Sequence, residues 1–133
     1  MVSGSFTSQM RDEGSLLTRL LEKAGVAVRA SLWLYEAELN SWRFLVSTDD
    51  VDRTGPRSVY GKIRSVITRH SMELSEIDLK DISVVSPKDS LIRSLAKAVR
   101  VDPAADGIRF SRSQVSGHYI DDTFIYRLPS LTA

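Results

Sequence analysis

Asp49, Asp50 and Asp52, bunched in the run Asp50-Val51-Asp52-Arg53-Thr54-Gly55 and its preceding residue, are the first side chains whose types and spacing could do chemistry. Oxygen donors at alternate positions with glycine sixth open like a calcium loop. The pattern then fails: position seven is Pro56, and position twelve, where a bidentate carboxylate must close the cage, is Gly61. The same carboxylates could share a magnesium ion with a phosphate-bearing substrate, which would make a metal-dependent phosphoryl-transfer or hydrolytic enzyme. Ser116, Gly117 and His118, with Asp121 and Asp122 close by, offer serine, histidine and acid. Neighbours on one turn do not supply the geometry that triads draw from separate elements. His70 falls on the apolar side of a helix end, a place for packing or for bonding a terminal carbonyl. There is no GxSxG, GxxxxGK[ST] or GxGxxG motif, and no cysteine to act as nucleophile or thiolate ligand. The expectation is a chain without catalysis or cofactor, with Asp49, Asp50 and Asp52 the nearest approach to a metal site.

Two surfaces are candidates for binding instead. In the segment Ser31 to Thr48, aromatic residues alternate along two strands. If the side carrying Leu32 and Leu34 faces the helices, then Arg29, Trp33 and Tyr35 point the other way, and Arg109, Ser111, Ile125 and Arg127 of the last hairpin share that side. Aromatic rings with arginines on one sheet face would suit a single-stranded nucleic acid, because bases stack on rings while guanidinium groups hold phosphates. Ile108 to Val115 does not match the aromatic, glycine-containing consensus of the common RNA-recognition sheet, and the same aromatics could be covered by the first helix or by a homodimer partner. The second surface is a helix. At 100° per residue Ser58, Gly61, Ser65 and Thr68 fall on its outward centre, with Arg64 and further cations flanking them. Such a stripe admits a close neighbour, a symmetry-related helix or a phosphate chain, with arginines at the rim.

These surfaces need elements to hold them. Leu16, Leu17, Leu20, Leu21 and Ala24 recur at helical spacing and Gly25 stops them. Val26 to Tyr35 and Trp42 to Thr48 read as a hairpin. Pro56 opens a helix whose apolar set is Val59, Tyr60, Ile63, Val66 and Ile67. Ile82 to Ser86 is a short strand, and Ser86-Pro87-Lys88-Asp89 has the form of a capping box before a third helix marked by Leu91, Ile92, Leu95 and Val99. Val101 to Gly107, with Pro103, is a turn-rich loop. Ile108 to Val115 and Thr123 to Leu128 form a second hairpin turning within Ser116 to Asp122, and Pro129 closes it. The expected fold is α+β, in the order α-β-β-α-β-α-β-β, with a mixed sheet of about five strands and the helices packed mainly on one face. Residues 1–14 are expected as a flexible lead, 15–129 as one domain and 130–133 as a short tail.

Of the 133 residues, 42% are hydrophobic and 26% charged, with a formal net charge of +1, so bulk electrostatics favours no class of partner. Locally, residues 56 to 72 hold Arg57, Lys62, Arg64 and Arg69 without an acid, and the third helix carries Lys88, Arg93, Lys97 and Arg100 against Asp89. These two helices could form a basic layer, although the helix dipole alone favours such signs at helix ends. No apolar run approaches the roughly 18 residues of a membrane span, and the amino terminus lacks the pattern of an export signal. The expected protein is a cytoplasmic interaction or regulatory module with a protein partner, itself included as a homodimer. Nucleic-acid binding through the aromatic face or the basic helices is the alternative.

Overall fold

Helix α1, Ser8–Lys23, begins where the Thr7 side chain accepts the Met10 amide at 3.0 Å. It ends in paired reverse bonds, Val26 N–H to the Leu21 carbonyl at 2.9 Å and Gly25 N–H to that of Glu22 at 3.1 Å, with Gly25 at φ +94°. Only glycine takes that conformation without strain, and the buried pair Leu21 and Val26 closes the motif. The computed structural model describes residues 5–102 and 106–130. After α1 come β1 (Val28–Glu36), β2 (Ser41–Thr48), α2 (Asp50–Thr54), α3 (Pro56–Arg69), β3 (Ile82–Val85), α4 (Ser90–Ala98), β4 (Ile108–Val115) and β5 (His118–Arg127), with one 3₁₀ turn at Leu79–Asp81. This is the expected α+β order, with α2 added in the acidic turn.

The five strands form one mixed sheet in the order β3-β2-β1-β5-β4. Only β2 and β3 run parallel, joined by the α3 crossover; the other pairs are antiparallel. Central β1 buries Ala30, Ser31, Leu32 and Trp33 in succession, the mark of a strand covered on both faces. One face packs Trp33, Trp42, Phe44, Val46, Ile82 and Tyr126 against Leu17 and Leu21 of α1 and Val59, Ile63 and Val66 of α3. The other packs Ala30, Leu32, Leu45, Ile120 and Ile125 against Ile92 and Leu95 of α4. The short edge strand β3 is protected: the Tyr60 hydroxyl on α3 donates to the Ile82 carbonyl at 3.2 Å and accepts the Val84 amide at 3.0 Å.

Several expectations change. The Trp33 side is not the uncovered side; it carries the two longer helices, because alternation fixes which residues share a face but not which face a helix takes. Ile125 lies on the Leu32 side, fully buried under α4. The lead is shorter than 14 residues: Ser8 to Gly14 are the first two turns of α1, and Glu13 and Gly14 are buried. Asp89, not Ser86, caps α4, accepting the Leu91 and Ile92 amides at 3.0 and 3.4 Å, while Ser86 accepts the Lys88 amide in the turn before it. The last hairpin turns on two residues, Ser116 (φ +46°) and Gly117 (φ +88°), the left-handed pair of a tight hairpin, so β5 begins at His118. Pro103 and residues 1–4 and 131–133 of the expected loop, lead and tail lie outside the described residues. Among the described residues no helix is long and apolar enough to cross a membrane.

Candidate functional site

The three aspartates do not converge. Asp49 accepts from Arg29 of β1 at 2.9 Å, Asp50 pairs with Arg53 and lies 4.0 Å from Lys62 Nζ, and Asp52 accepts from the Ser86 hydroxyl at 3.1 Å. Each carboxylate thus ties α2 to a different neighbour, which is why the run holds a short helix rather than a cation loop. The hydrogen bond and charge of Asp50 push the Arg53 guanidinium above its ordinary value. Among the described residues no group of three or more histidines or carboxylates is placed to hold a metal ion.

The serine, histidine and acids of the last hairpin also separate. His118 Nε2 lies 3.4 Å from the Ser90 hydroxyl at the start of α4, and Asp122 receives both Nε and Nη2 of Arg109, at 2.9 and 2.5 Å. That pairing pushes Arg109 above its ordinary value, the hydrogen bond outweighing desolvation. His70 ends α3, its Nδ1 3.7 Å from Glu73.

The aromatic and arginine residues expected on one sheet face are divided as well. Trp33 is buried beneath α1, donating its Nε1–H to the Met10 carbonyl at 3.0 Å and packing edge-on to Phe44 at 5.1 Å, so its ring offers no base a stacking surface. Arg29 is engaged by Asp49, and Arg127 by Glu22 of α1 at 3.3 Å. Tyr35 and Arg109 do meet. They line a shallow cavity of about 540 Å³ at one end of the sheet, together with Asn40, Arg112, Asp121 and Asp122. Tyr35 donates to Asn40 Oδ1, and the Arg109 guanidinium sits 5.2 Å above the Phe6 ring, which in turn stacks on Phe124 at 5.4 Å. No motif signals Asn40 or Arg112. They arrive through the β1–β2 turn and the β4–β5 register, which join residues distant in sequence.

On α3 the helical wheel holds: Ser58, Gly61, Arg64, Ser65 and Thr68 are all exposed, while Val59, Ile63 and Val66 face the core. Lys62 leans toward Asp50, but Arg57, Arg64 and Arg69 form no ion pair among the described residues. The basic residues of α4 lie on the opposite side of the sheet, so the two helices make two separate surfaces and not one basic layer. No protein-family model, no curated protein and no solved structure matches the chain.

Proposed function

We propose that this protein is a non-catalytic interaction module that engages an acidic protein surface through the outer face of α3. The observation that carries the reading is an exposed stripe, Ser58, Gly61, Ser65 and Thr68, flanked by Arg57, Arg64 and Arg69 with no acid on the helix. Small side chains let a partner approach the helix closely, and guanidinium forks suit carboxylates in two-point contact. Self-association through this same face would set cations against cations, which favours a different, acidic partner over a second copy. Nucleic acid is the weaker reading because a duplex rewards a continuous basic track, and the two basic helices lie on opposite sides of the sheet. A cytosolic setting belongs to the same proposal, since a chain without cysteine draws nothing from an oxidising compartment.

The test is an amide-resolved NMR titration with a glutamate-rich peptide and, separately, a duplex oligonucleotide. The expected result is peptide-induced shifts confined to Pro56–Arg69, abolished in the triple variant R57E/R64E/R69E at unchanged melting temperature. Shifts elsewhere, or none, would reject the reading. Tighter oligonucleotide binding, falling with salt at about 0.9 log units per phosphate contact, would transfer it to nucleic acid.

A further inference from the structure

The cavity at the end of the sheet contains one satisfied ion pair and two unsatisfied charges. Arg109 and Asp122 neutralise each other through the two-point contact described above, and Arg109 is held against Phe6, so this pair forms a fixed wall. Arg112 and Asp121 remain. The paired positions Ser111 with Asp122 and Ser113 with Ile120 bracket them on neighbouring strands, and both line the cavity. Cross-strand opposite charges ordinarily pair. Here they form no ion pair, and neither has another side-chain partner among the described residues.

The backbone accounts for this. Alternation along β4 gives Arg109 and Ser111 to one face, and Phe110, which packs against the α4 core, to the other. Arg112 should follow Phe110. At Arg112 the strand leaves its regular path with φ +52°, a left-handed conformation that costs a non-glycine residue about 1 kcal/mol, and Arg112 lines the same cavity as Arg109 and Ser111. The strand is strained where an unpaired guanidinium enters a concave site beside an unpaired carboxylate.

From this geometry we infer that the cavity binds a small zwitterion of the amino-acid or dipeptide type, its carboxylate on Arg112, its ammonium on Asp121 and its side chain against the ring of Tyr35. A volume of about 540 Å³ is ample for a molecule of that size. The lining charges sum to zero, which favours a ligand that carries both signs over a simple anion or cation.

The experiment is a titration of the full chain with the dipeptide Gly-Phe, its N-acetyl derivative and its C-terminal amide, read by amide shifts. Gly-Phe should move the signals of Tyr35, Asn40, Arg112 and Asp121 with millimolar affinity, and capping either end should weaken binding about tenfold. In R112Q the amide and the free acid should bind alike while the acetyl effect persists; in D121N the converse should hold, which separates a lost contact from a damaged fold. Unmoved signals with Gly-Phe, insensitivity to capping, or unchanged preference in both variants would overturn the inference and leave the kink at Arg112 as a device that blunts the exposed β4 edge.

Discussion

Helix α1 touches the sheet most closely at Gly14, and a single methyl group there tests how the core is assembled. A Cβ at Gly14 would stand 2.4 Å from Tyr126 Oη and 2.7 Å from both Tyr126 Cε2 and Trp33 Nε1. Both rings are buried, and their polar atoms are the ones that tie sheet to helix: Tyr126 Oη donates to the Arg11 carbonyl at 2.7 Å and Trp33 Nε1 to that of Met10 at 3.0 Å. Gly14→Ala therefore has opposing terms. Helix propensity favours alanine by about 1 kcal/mol. Overpacking two rigid rings costs about 2 kcal/mol, and losing two buried hydrogen bonds costs about 1 kcal/mol each. The net expectation is destabilisation by about 3 kcal/mol, a fall in Tm of about 10 °C for a chain of this length. Gly61→Ala is the matched control. A Cβ at Gly61 meets nothing within 4 Å on the exposed face of α3, so the same substitution there should stabilise by about 0.5–1 kcal/mol. Equilibrium urea unfolding of both variants, with near-ultraviolet circular dichroism to follow the Trp33 environment, reads the two effects. The reasoning is refuted if Gly14→Ala is as stable as the wild type, or if the two glycine variants shift in the same direction.

Two further outcomes follow from buried polar groups. Glu13, nearly buried on α1, accepts the Glu76 and Ile77 amides through Oε1 at 2.8 and 3.2 Å and Gln9 and Ser75 through Oε2, so Glu13→Ala should cost about 2–3 kcal/mol and release the Glu76 and Ile77 amides to hydrogen exchange first. Unaltered protection of those two amides would contradict the assignment. Burial, partly offset by the neighbouring Trp33 indole N–H and by the charge of Arg11, pushes the Tyr126 phenol well above its ordinary value of 10.0. The folded chain then keeps a proton that the unfolded chain releases, so the associated stability is whole below pH 10.0 and is lost as pH rises beyond it. Urea midpoints measured on both sides of that pH should decline less steeply in Tyr126→Phe; an equally steep decline would place the alkaline sensitivity elsewhere.

The parts of the fold legible in the sequence are those where one physical signal acts alone. Pro56 at the first position of α3 and the spacing of Val59, Ile63 and Val66 are read from helical periodicity, and the structure buries those three while exposing Ser58, Gly61 and Ser65. Where two signals compete, the reading fails. Ser86-Pro87-Lys88-Asp89 holds two good caps, and Asp89 takes the helix because Ser86 is spent on the turn before it. The sequence confines the last hairpin turn only to Ser116–Asp122, since left-handed backbone at Ser116 is not advertised by a serine. Alternation assigns Tyr35 and Arg109 to one side of the sheet, but the cavity they line depends on Arg112 leaving its alternation and on Asn40 arriving from a turn, neither of which a period of two can express.

The inverted reading of the aromatic face bears directly on function. An aromatic and arginine-rich strand pair is ambiguous because stacking platforms and cores use the same residues, and burial decides between them. Here Phe6, Trp33, Trp42, Phe44, Phe124 and Tyr126 contact one another beneath α1, so the aromatic content is committed to holding a helix. Both faces of the sheet are occupied, and the β3 edge is closed by Tyr60. On the proposed reading, recognition falls on what the core leaves over: the outer face of α3, where Arg57, Arg64 and Arg69 form no ion pair among the described residues, and the end of the sheet, where Arg112 and Asp121 line one cavity without pairing. The two differ in the partner they can take. A convex helix with spaced guanidinium groups suits an extended acidic surface, whereas a concave site with balanced charges suits a small molecule, so the peptide titration of α3 and the dipeptide titration of the sheet end test the two proposals independently.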